Sequence, residues 1–162
     1  MEKKNSVLQT KGITPVNSSS MARGIRNNNP FNLIKTKISW LGKLTGLFNS
    51  ESKFEQFTTL ELGIRAGLLN LRNGYRNKGI NTPYKIINKY APLSDNSQPA
   101  QKKYIESVAK SVFGFSTSIH ATLSTPVQWV VLAQSILTFE NGKSPVSYLQ
   151  LTKINNDQKI II

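Results

Sequence analysis

One stretch constrains this chain more than any other: the apolar run that starts after Thr125 and ends before Gly142. Thr125 is a residue type that caps helix N-termini, and Pro126 suits the first helical position because the N–H it lacks would find no partner there. Gly142 is typical of the residue that follows a helix. The run is apolar around nearly the whole helix circumference, which indicates a helix buried in a core. It is shorter than the roughly 20 residues that a membrane-spanning helix needs.

The predicted core helix ends at Glu140. A carboxylate there meets the negative end of the helix dipole and the apolar side chains of Phe139 and Trp129. Both effects favour the protonated form, and a carboxylic acid that keeps its proton near neutral pH can donate it to a leaving oxygen. Taken alone, the stretch slightly favours an ordinary surface glutamate before a capping glycine. The catalytic interpretation therefore depends on the rest of the chain.

Composition excludes several kinds of chemistry. With no cysteine, the chain of 162 residues has no disulfide, thiol nucleophile or cysteine metal site. A single histidine makes a zinc site improbable, and His120 falls in a predicted loop, which disfavours a Ser–His–Asp triad. We therefore predict no metal and no cofactor. The net charge of +13 favours a polyanionic partner such as nucleic acid, an anionic membrane or an anionic cell wall, although the basic residues are spread along the chain as on a solvated surface.

The eight acidic residues narrow the choice of a catalytic acid. Glu2 and Asp157 fall in predicted tails, and Glu106 lies on an amphipathic helix face. Glu61 fits a capping box with Thr58. The candidates that remain are Glu51, Glu55, Asp95 and Glu140.

The pattern of the chain predicts one mainly α-helical domain with a small β or loop lobe. Residues 1–20 are polar, which predicts a flexible segment without a secretion signal. Residues 21–145 are predicted to form the domain, and residues 146–162 a C-terminal tail with a short strand at 148–151. Besides the core helix, helices are predicted from Thr58 or Thr59 to about Tyr75, from Thr82 to before Pro92, and from Ser97 or Pro99 to Gly114. No stretch is predicted to span a membrane.

Eight short motifs follow one another in a specific order. They are Gly24-Ile25-Arg26-Asn27-Asn28-Asn29-Pro30, Trp40-x-Gly42, Phe54-x-x-Phe57, Gly63-Ile64-Arg65-Ala66, Asn81-Thr82 with Ile86-Ile87, Tyr90-Ala91-Pro92, Tyr104-Ile105 and Glu140-Asn141-Gly142. In this order they resemble the lysozyme-like phage lytic proteins, which are virion-associated peptidoglycan hydrolases. Two departures are Phe31, where that family usually has glycine, and a longer segment at 94–101.

The resemblance implies a lysozyme-like fold that acts on the glycan strands of bacterial peptidoglycan, without a cofactor. A further similarity is to the glucosaminidase and transglycosylase group, in which a helix ending in glutamate precedes an Asn-Asn-x-Phe-Gly-like segment. Here the segment that starts at Asn28 comes before the helix that ends at Glu140, so the order is reversed. We therefore expect a circular permutation that brings Glu140 beside the asparagine-rich loop, since domain termini often lie close together.

The activity implied is cleavage of a β-1,4 glycosidic bond with Glu140 as the general acid. A hydrolase usually needs a second carboxylate. The candidate for it is Glu55, and the alternative is Glu51. A lytic transglycosylase needs only one carboxylate. The predicted substrate-binding residues are Asn27, Asn28, Asn29, Trp40, Tyr90, Tyr104, Gln134 and Asn141. For the asparagines, bracing of a loop is the more frequent use, and for Trp40 a place in the core is the more frequent one.

The resemblance also implies where the protein acts and with what. We expect a protein that is virion-associated, or that is released from the host cytoplasm to the cell wall, with peptidoglycan and other virion proteins as partners. Two alternatives stay open. One is a catalytically inactive virion structural protein with the same fold, and the other is a nucleic-acid-binding protein, which only the basic charge suggests.

Overall fold

The computed structural model describes residues 21–161, and this part of the chain is mainly α-helical, as predicted. The α-helices are α1 (Arg23–Arg26), α2 (Leu60–Gly74), α3 (Pro83–Tyr90), α4 (Gln98–Phe113), α5 (Pro126–Asn141) and α6 (Tyr148–Asp157). Short 3-10 turns lie at Gly46–Phe48 and Arg76–Lys78. In the region of the predicted small β or loop lobe, the described residues form two isolated antiparallel bridges, Ile34 with Phe54 and Lys43 with Phe57. The small lobe is therefore made of loops.

Helix α5 is the predicted core helix. Thr125 and Gln128 form a capping box at its start, and Gly142 follows its end with a left-handed backbone (φ 74°). The helix packs against α1, α4 and α6. Its buried residues are Trp129, Val130, Leu132, Ala133, Ile136 and Leu137. No helix within residues 21–161 combines the length and the apolar character that crossing a membrane requires.

The start of α2 corrects one prediction. Thr59, rather than Thr58, caps this helix and accepts a hydrogen bond from the backbone N–H of Leu62. A capping box needs Glu or Gln three residues after the cap, and Leu62 stands there. The predicted box between Thr58 and Glu61 is therefore wrong, and Glu61 instead accepts a hydrogen bond from Gln158 at 3.3 Å.

The C-terminal segment corrects a second prediction, since the strand expected at 148–151 is the first part of α6. Ser147 and Gln150 form a capping box that starts this helix, and Leu151 is fully buried. Near the end of this helix, the buried side chain of Asn155 accepts a hydrogen bond from the N–H of Ile161 (2.6 Å) and donates one to its backbone oxygen (2.9 Å). Residues 146–161 thus belong to the packed domain in place of the predicted tail. The predicted flexible segment 1–20 lies outside the described residues.

Helix α2 fixes the position of the asparagine-rich loop, residues 27–33, which follows α1. A Cβ atom added at Gly63 would lie 1.7 Å from the backbone oxygen of Asn28, and one added at Gly67 would lie 2.0 Å from the ring of Phe31. Only glycine permits such an approach. Phe31, where the lytic family usually has glycine, is fully buried and fills the space above Gly67.

Candidate active site

Glu140 stands one residue before the end of α5 and lines a pocket of about 360 Å³. Its side chain is half-buried. One carboxylate oxygen accepts a hydrogen bond from the hydroxyl of Tyr104 (3.0 Å), and the other accepts one from the amide of Asn32 (2.7 Å). Within residues 21–161, no lysine or arginine forms an ion pair with it. The expectation that Glu140 lies beside the asparagine-rich loop is met.

Asn32 is a residue of this site that the sequence analysis did not single out. Its backbone is left-handed (φ 50°), and its N–H donates to the backbone oxygen of Asn29 at 2.8 Å. Asparagine adopts this conformation more readily than most residues other than glycine. The turn directs the Asn32 amide at Glu140. An asparagine two residues after an Asn-Pro pair was the available signal.

Asn27, Asn28 and Asn29 brace the loop instead of lining the pocket. Asn27 and Asn29 are buried. Their amide nitrogens donate within the protein: Asn27 to Glu51 Oε1 (3.0 Å), Asn28 to the oxygen of Phe57 (3.1 Å), and Asn29 to the oxygens of Leu33 (3.0 Å) and Glu55 (2.9 Å). The structure thus gives these side chains a bracing role in place of the predicted sugar contacts.

Two tyrosines lie near Glu140, and only one of them lines the pocket. Tyr104 is almost fully buried and does not line the pocket; its ring stacks on Phe139, with 3.8 Å between centroids. Burial, and then the charge of Glu140, raise the pKa of Tyr104 well above its usual range, which keeps the hydroxyl protonated as a donor. Tyr90 lines the pocket as predicted, and its hydroxyl donates to the backbone oxygen of Phe31. Tyr104 is therefore a support behind Glu140 and not the predicted cleft wall.

Glu55 does not share the pocket with Glu140. Its side chain is fully buried, pairs with Lys43 at 2.9 Å and accepts a hydrogen bond from the N–H of Thr36 at 2.9 Å. This carboxylate holds the loop lobe together, so the structure corrects its selection as the second catalytic acid.

Asp95 is the second acid that lines the pocket. It lies between α3 and α4, where its N–H donates to the oxygen of Pro92 at 3.0 Å. Its side chain is half-exposed and lies 3.5 Å from the amine of Lys53. Asp95 is one of four candidate acids in the sequence, but no pattern shows which of them shares a pocket with Glu140.

A second pocket of about 210 Å³ continues from the first. The two share Asn32, Ile34 and Tyr90 as lining residues, and we call them together the groove. Trp40 lines the second pocket, among Phe31 and other apolar side chains. The groove thus has a polar part that contains Glu140 and an aromatic part that contains Trp40.

Gln134 and Asn141 do not line the groove. The amide of Gln134 donates to the oxygen of Val146 at 3.0 Å, and its side chain lines a separate pocket beside Phe139. The amide of Asn141 donates to the oxygens of Pro30 and Leu137, each at 2.8 Å. Asn141 therefore ties the end of α5 to the asparagine-rich loop, which places its neighbour Glu140.

The polar part of the groove carries charges of both signs. Arg23 lies over the ring of Phe54, 3.7 Å from its centroid, and Lys53 and Asp95 stand on the same lining. A half-buried carboxyl group held by two donors, an open pocket and a second acid suit general acid–base chemistry on a polar substrate.

No family model matches the chain.

The chain is similar to a phage protein. Over 142 residues the chain is 29% identical to Protein P5 of Pseudoalteromonas phage PM2, and this similarity covers 86% of the chain and 83% of that protein. It supports a bacteriophage context.

Proposed function

We propose that the protein is a peptidoglycan-degrading enzyme with a lysozyme-like fold that cleaves β-1,4 glycosidic bonds of the glycan strands during phage entry or host lysis. The observation that carries this proposal is the carboxyl group of Glu140, which is half-buried, faces the groove and is hydrogen-bonded to Tyr104 and Asn32. The adjoining aromatic pocket extends the groove from Glu140 to Trp40. The similarity to a phage protein agrees with this setting.

In the proposed reaction, Glu140 protonates the oxygen of the glycosidic bond as that bond breaks. Proton transfer leaves a carboxylate, and hydrogen bonds to a charged group favour that form. The hydroxyl of Tyr104 and the amide of Asn32 already point at the two oxygens where the charge develops. They therefore stabilise the product of proton transfer without a rearrangement of the site.

Two routes complete the reaction. In hydrolysis, a second carboxylate acts on water or on the sugar, and Asp95 takes the place that the sequence had assigned to Glu55. In the transglycosylase route, a hydroxyl of the sugar attacks instead and yields an anhydro product, so one acid is enough. The two routes predict different effects of an Asp95→Asn substitution.

The test is mass spectrometry of the muropeptides that the protein releases from purified sacculi. We expect Glu140→Gln to lower the rate about 100-fold or more, because the general acid is lost. Glu106→Gln is the matched control, since this half-buried glutamate on α4 lines neither pocket of the groove and forms only a long ion pair of 3.9 Å with Lys102. Loss of reducing ends in Asp95→Asn identifies hydrolysis, whereas unchanged anhydro products identify the transglycosylase route. Equal rates for Glu140→Gln and wild type refute the proposal.

The geometry of Glu140 also favours a second candidate, a catalytically inactive virion structural protein with the same fold. Its two oxygens join three segments, because Asn32 belongs to the asparagine-rich loop, Tyr104 to α4 and Glu140 to α5. Such a carboxylate can serve stability alone. This candidate predicts that the wild-type protein releases no muropeptides, while Glu140→Gln still lowers the melting temperature.

A further inference from the structure

The loop lobe, residues 34–57, exposes apolar side chains that the groove does not use. Leu47 is fully exposed and Phe48 is 82% exposed, which makes them the most exposed large apolar side chains within residues 21–161. Leu41, in the same lobe, is 61% exposed. None of the three lines either pocket of the groove. Their exposure therefore calls for a partner outside the groove.

Hydrogen bonds fix the backbone of the lobe around Leu47 and Phe48. In the turn Gly46–Phe48, the N–H of Phe48 donates to the oxygen of Thr45 (3.1 Å) and that of Asn49 to the oxygen of Gly46 (3.2 Å). Before the turn, the N–H of Leu44 donates to the oxygen of Gln56 at 2.8 Å. The turn, which we call the tip, thus presents Leu47 and Phe48 from a defined backbone.

The charge of the lobe indicates what the tip contacts. Residues 34–57 contain four lysines, Lys35, Lys37, Lys43 and Lys53, and two glutamates, Glu51 and Glu55. Lys43 is paired with the buried Glu55, whereas Lys35 and Lys37 are exposed. They belong to a chain whose net charge is +13. Exposed Leu and Phe side chains beside lysines are typical of segments that bury apolar groups at the headgroup boundary of anionic membranes. An exposed apolar tip alone would suit many partners, but the exposed Lys35 and Lys37 of the lobe and the net charge of +13 favour an anionic surface.

We propose that the tip inserts Leu47 and Phe48 into the headgroup region of an anionic lipid bilayer, with the exposed Lys35 and Lys37 of the lobe against the lipid phosphates. This inference does not depend on the proposed enzymatic activity, because neither side chain lines the groove. It describes attachment to a membrane surface and involves no spanning segment.

The first test is flotation of the protein with vesicles of phosphatidylcholine, with and without phosphatidylglycerol. We expect binding only to the anionic vesicles, and binding that weakens with salt. The double variant Leu47→Ser with Phe48→Ser should lose roughly tenfold in affinity for each side chain removed. Leu149→Ser is the matched control, since Leu149 is 77% exposed on α6 and should leave binding unchanged.

The second test reports where the contact lies. Because the chain has no cysteine, Leu47→Cys and Leu149→Cys each give one site for a polarity-sensitive fluorophore. We expect a blue shift with anionic vesicles for the label at 47 and none at 149. The proposal is overturned by absence of binding to anionic vesicles, by equal binding to neutral ones, by undiminished binding of the double variant, or by equal shifts at the two positions.

Discussion

The substitution Gly63→Ala tests whether close packing of α2 on the asparagine-rich loop holds the candidate site in place. In the interior of an exposed helix, the exchange of Gly for Ala stabilises by about 1 kcal/mol. Here the new Cβ would lie 1.7 Å from the backbone oxygen of Asn28 and 2.8 Å from its carbonyl carbon. Neither atom belongs to a flexible side chain. Since such contacts require about 3 Å, the loop has to move away from the helix by more than 1 Å.

The steric effect should outweigh the gain in helix propensity. Overpacking of a well-packed core costs typically 1–3 kcal/mol, and this contact is more severe than an added methylene, so we expect a net loss of about 2 kcal/mol or more. For a domain of this size, that lowers the melting temperature by roughly 4–8 °C. Because the displaced loop carries Asn32, activity on sacculi should fall as well.

Gly74→Ala in the same helix is the control for this measurement. The nearest neighbour of its new Cβ is a side-chain atom, Oδ1 of Asn70, at 3.2 Å, which a small rotation of Asn70 relieves. Thermal unfolding followed by circular dichroism should show Gly74→Ala within about 0.5 kcal/mol of wild type. A Gly63→Ala variant as stable as Gly74→Ala would refute the reasoning that the loop position depends on this contact.

Three further predictions concern the groups around the site. Tyr104→Phe keeps the stack on Phe139 and removes the donor to Glu140, so release of muropeptides should fall about tenfold, whereas Tyr148→Phe on the surface of α6 should have no effect. Lys43→Met leaves the buried carboxylate of Glu55 without its cation and should destabilise the fold by roughly 3–5 kcal/mol in urea titration, against less than about 1 kcal/mol for Lys53→Met, whose pair with Asp95 is half-exposed. Burial raises the pKa of Tyr75 to about 12, and burial and Glu140 raise the pKa values of Tyr90 and Tyr104 well above the usual range. In the unfolded chain these tyrosines lose their protons near pH 10, whereas in the folded chain they keep them. The melting temperature should therefore fall as the pH rises above about 10. A melting temperature that stays constant there would contradict the burial of these hydroxyl groups.

The helices could be predicted where local signals agree. Helix α5 combines a cap, a proline at its start, apolar residues on every side and a closing glycine. Helix α6 was missed although Ser147 and Gln150 carry the signature of a capping box, because the short apolar run at 148–151 also suits a strand. Its burial depends on tertiary contacts such as those of Leu151, which no local pattern encodes.

The site could be predicted only in part, for a related reason. Glu140 was found because the end of a core helix is a recognisable position. Its partners come from irregular segments, in which no periodicity shows which way a side chain points. For this reason Glu55, fully buried against Lys43, was preferred to Asp95, which faces the groove. Likewise the run of asparagines predicts substrate contacts for Asn27 to Asn29, whereas Asn32 is the asparagine that bonds to Glu140.

The hydrogen bond between Asn32 and Glu140 joins two positions 108 residues apart in the chain. The site needs both positions. The ribosome makes the loop first, and Glu140 can bind Asn32 only after α5 has left the ribosome and packed. A nascent or C-terminally shortened chain therefore has no assembled acid. If the protein attacks the wall of the cell that makes it, its synthesis carries a built-in delay, because the potential for damage appears only with the finished molecule.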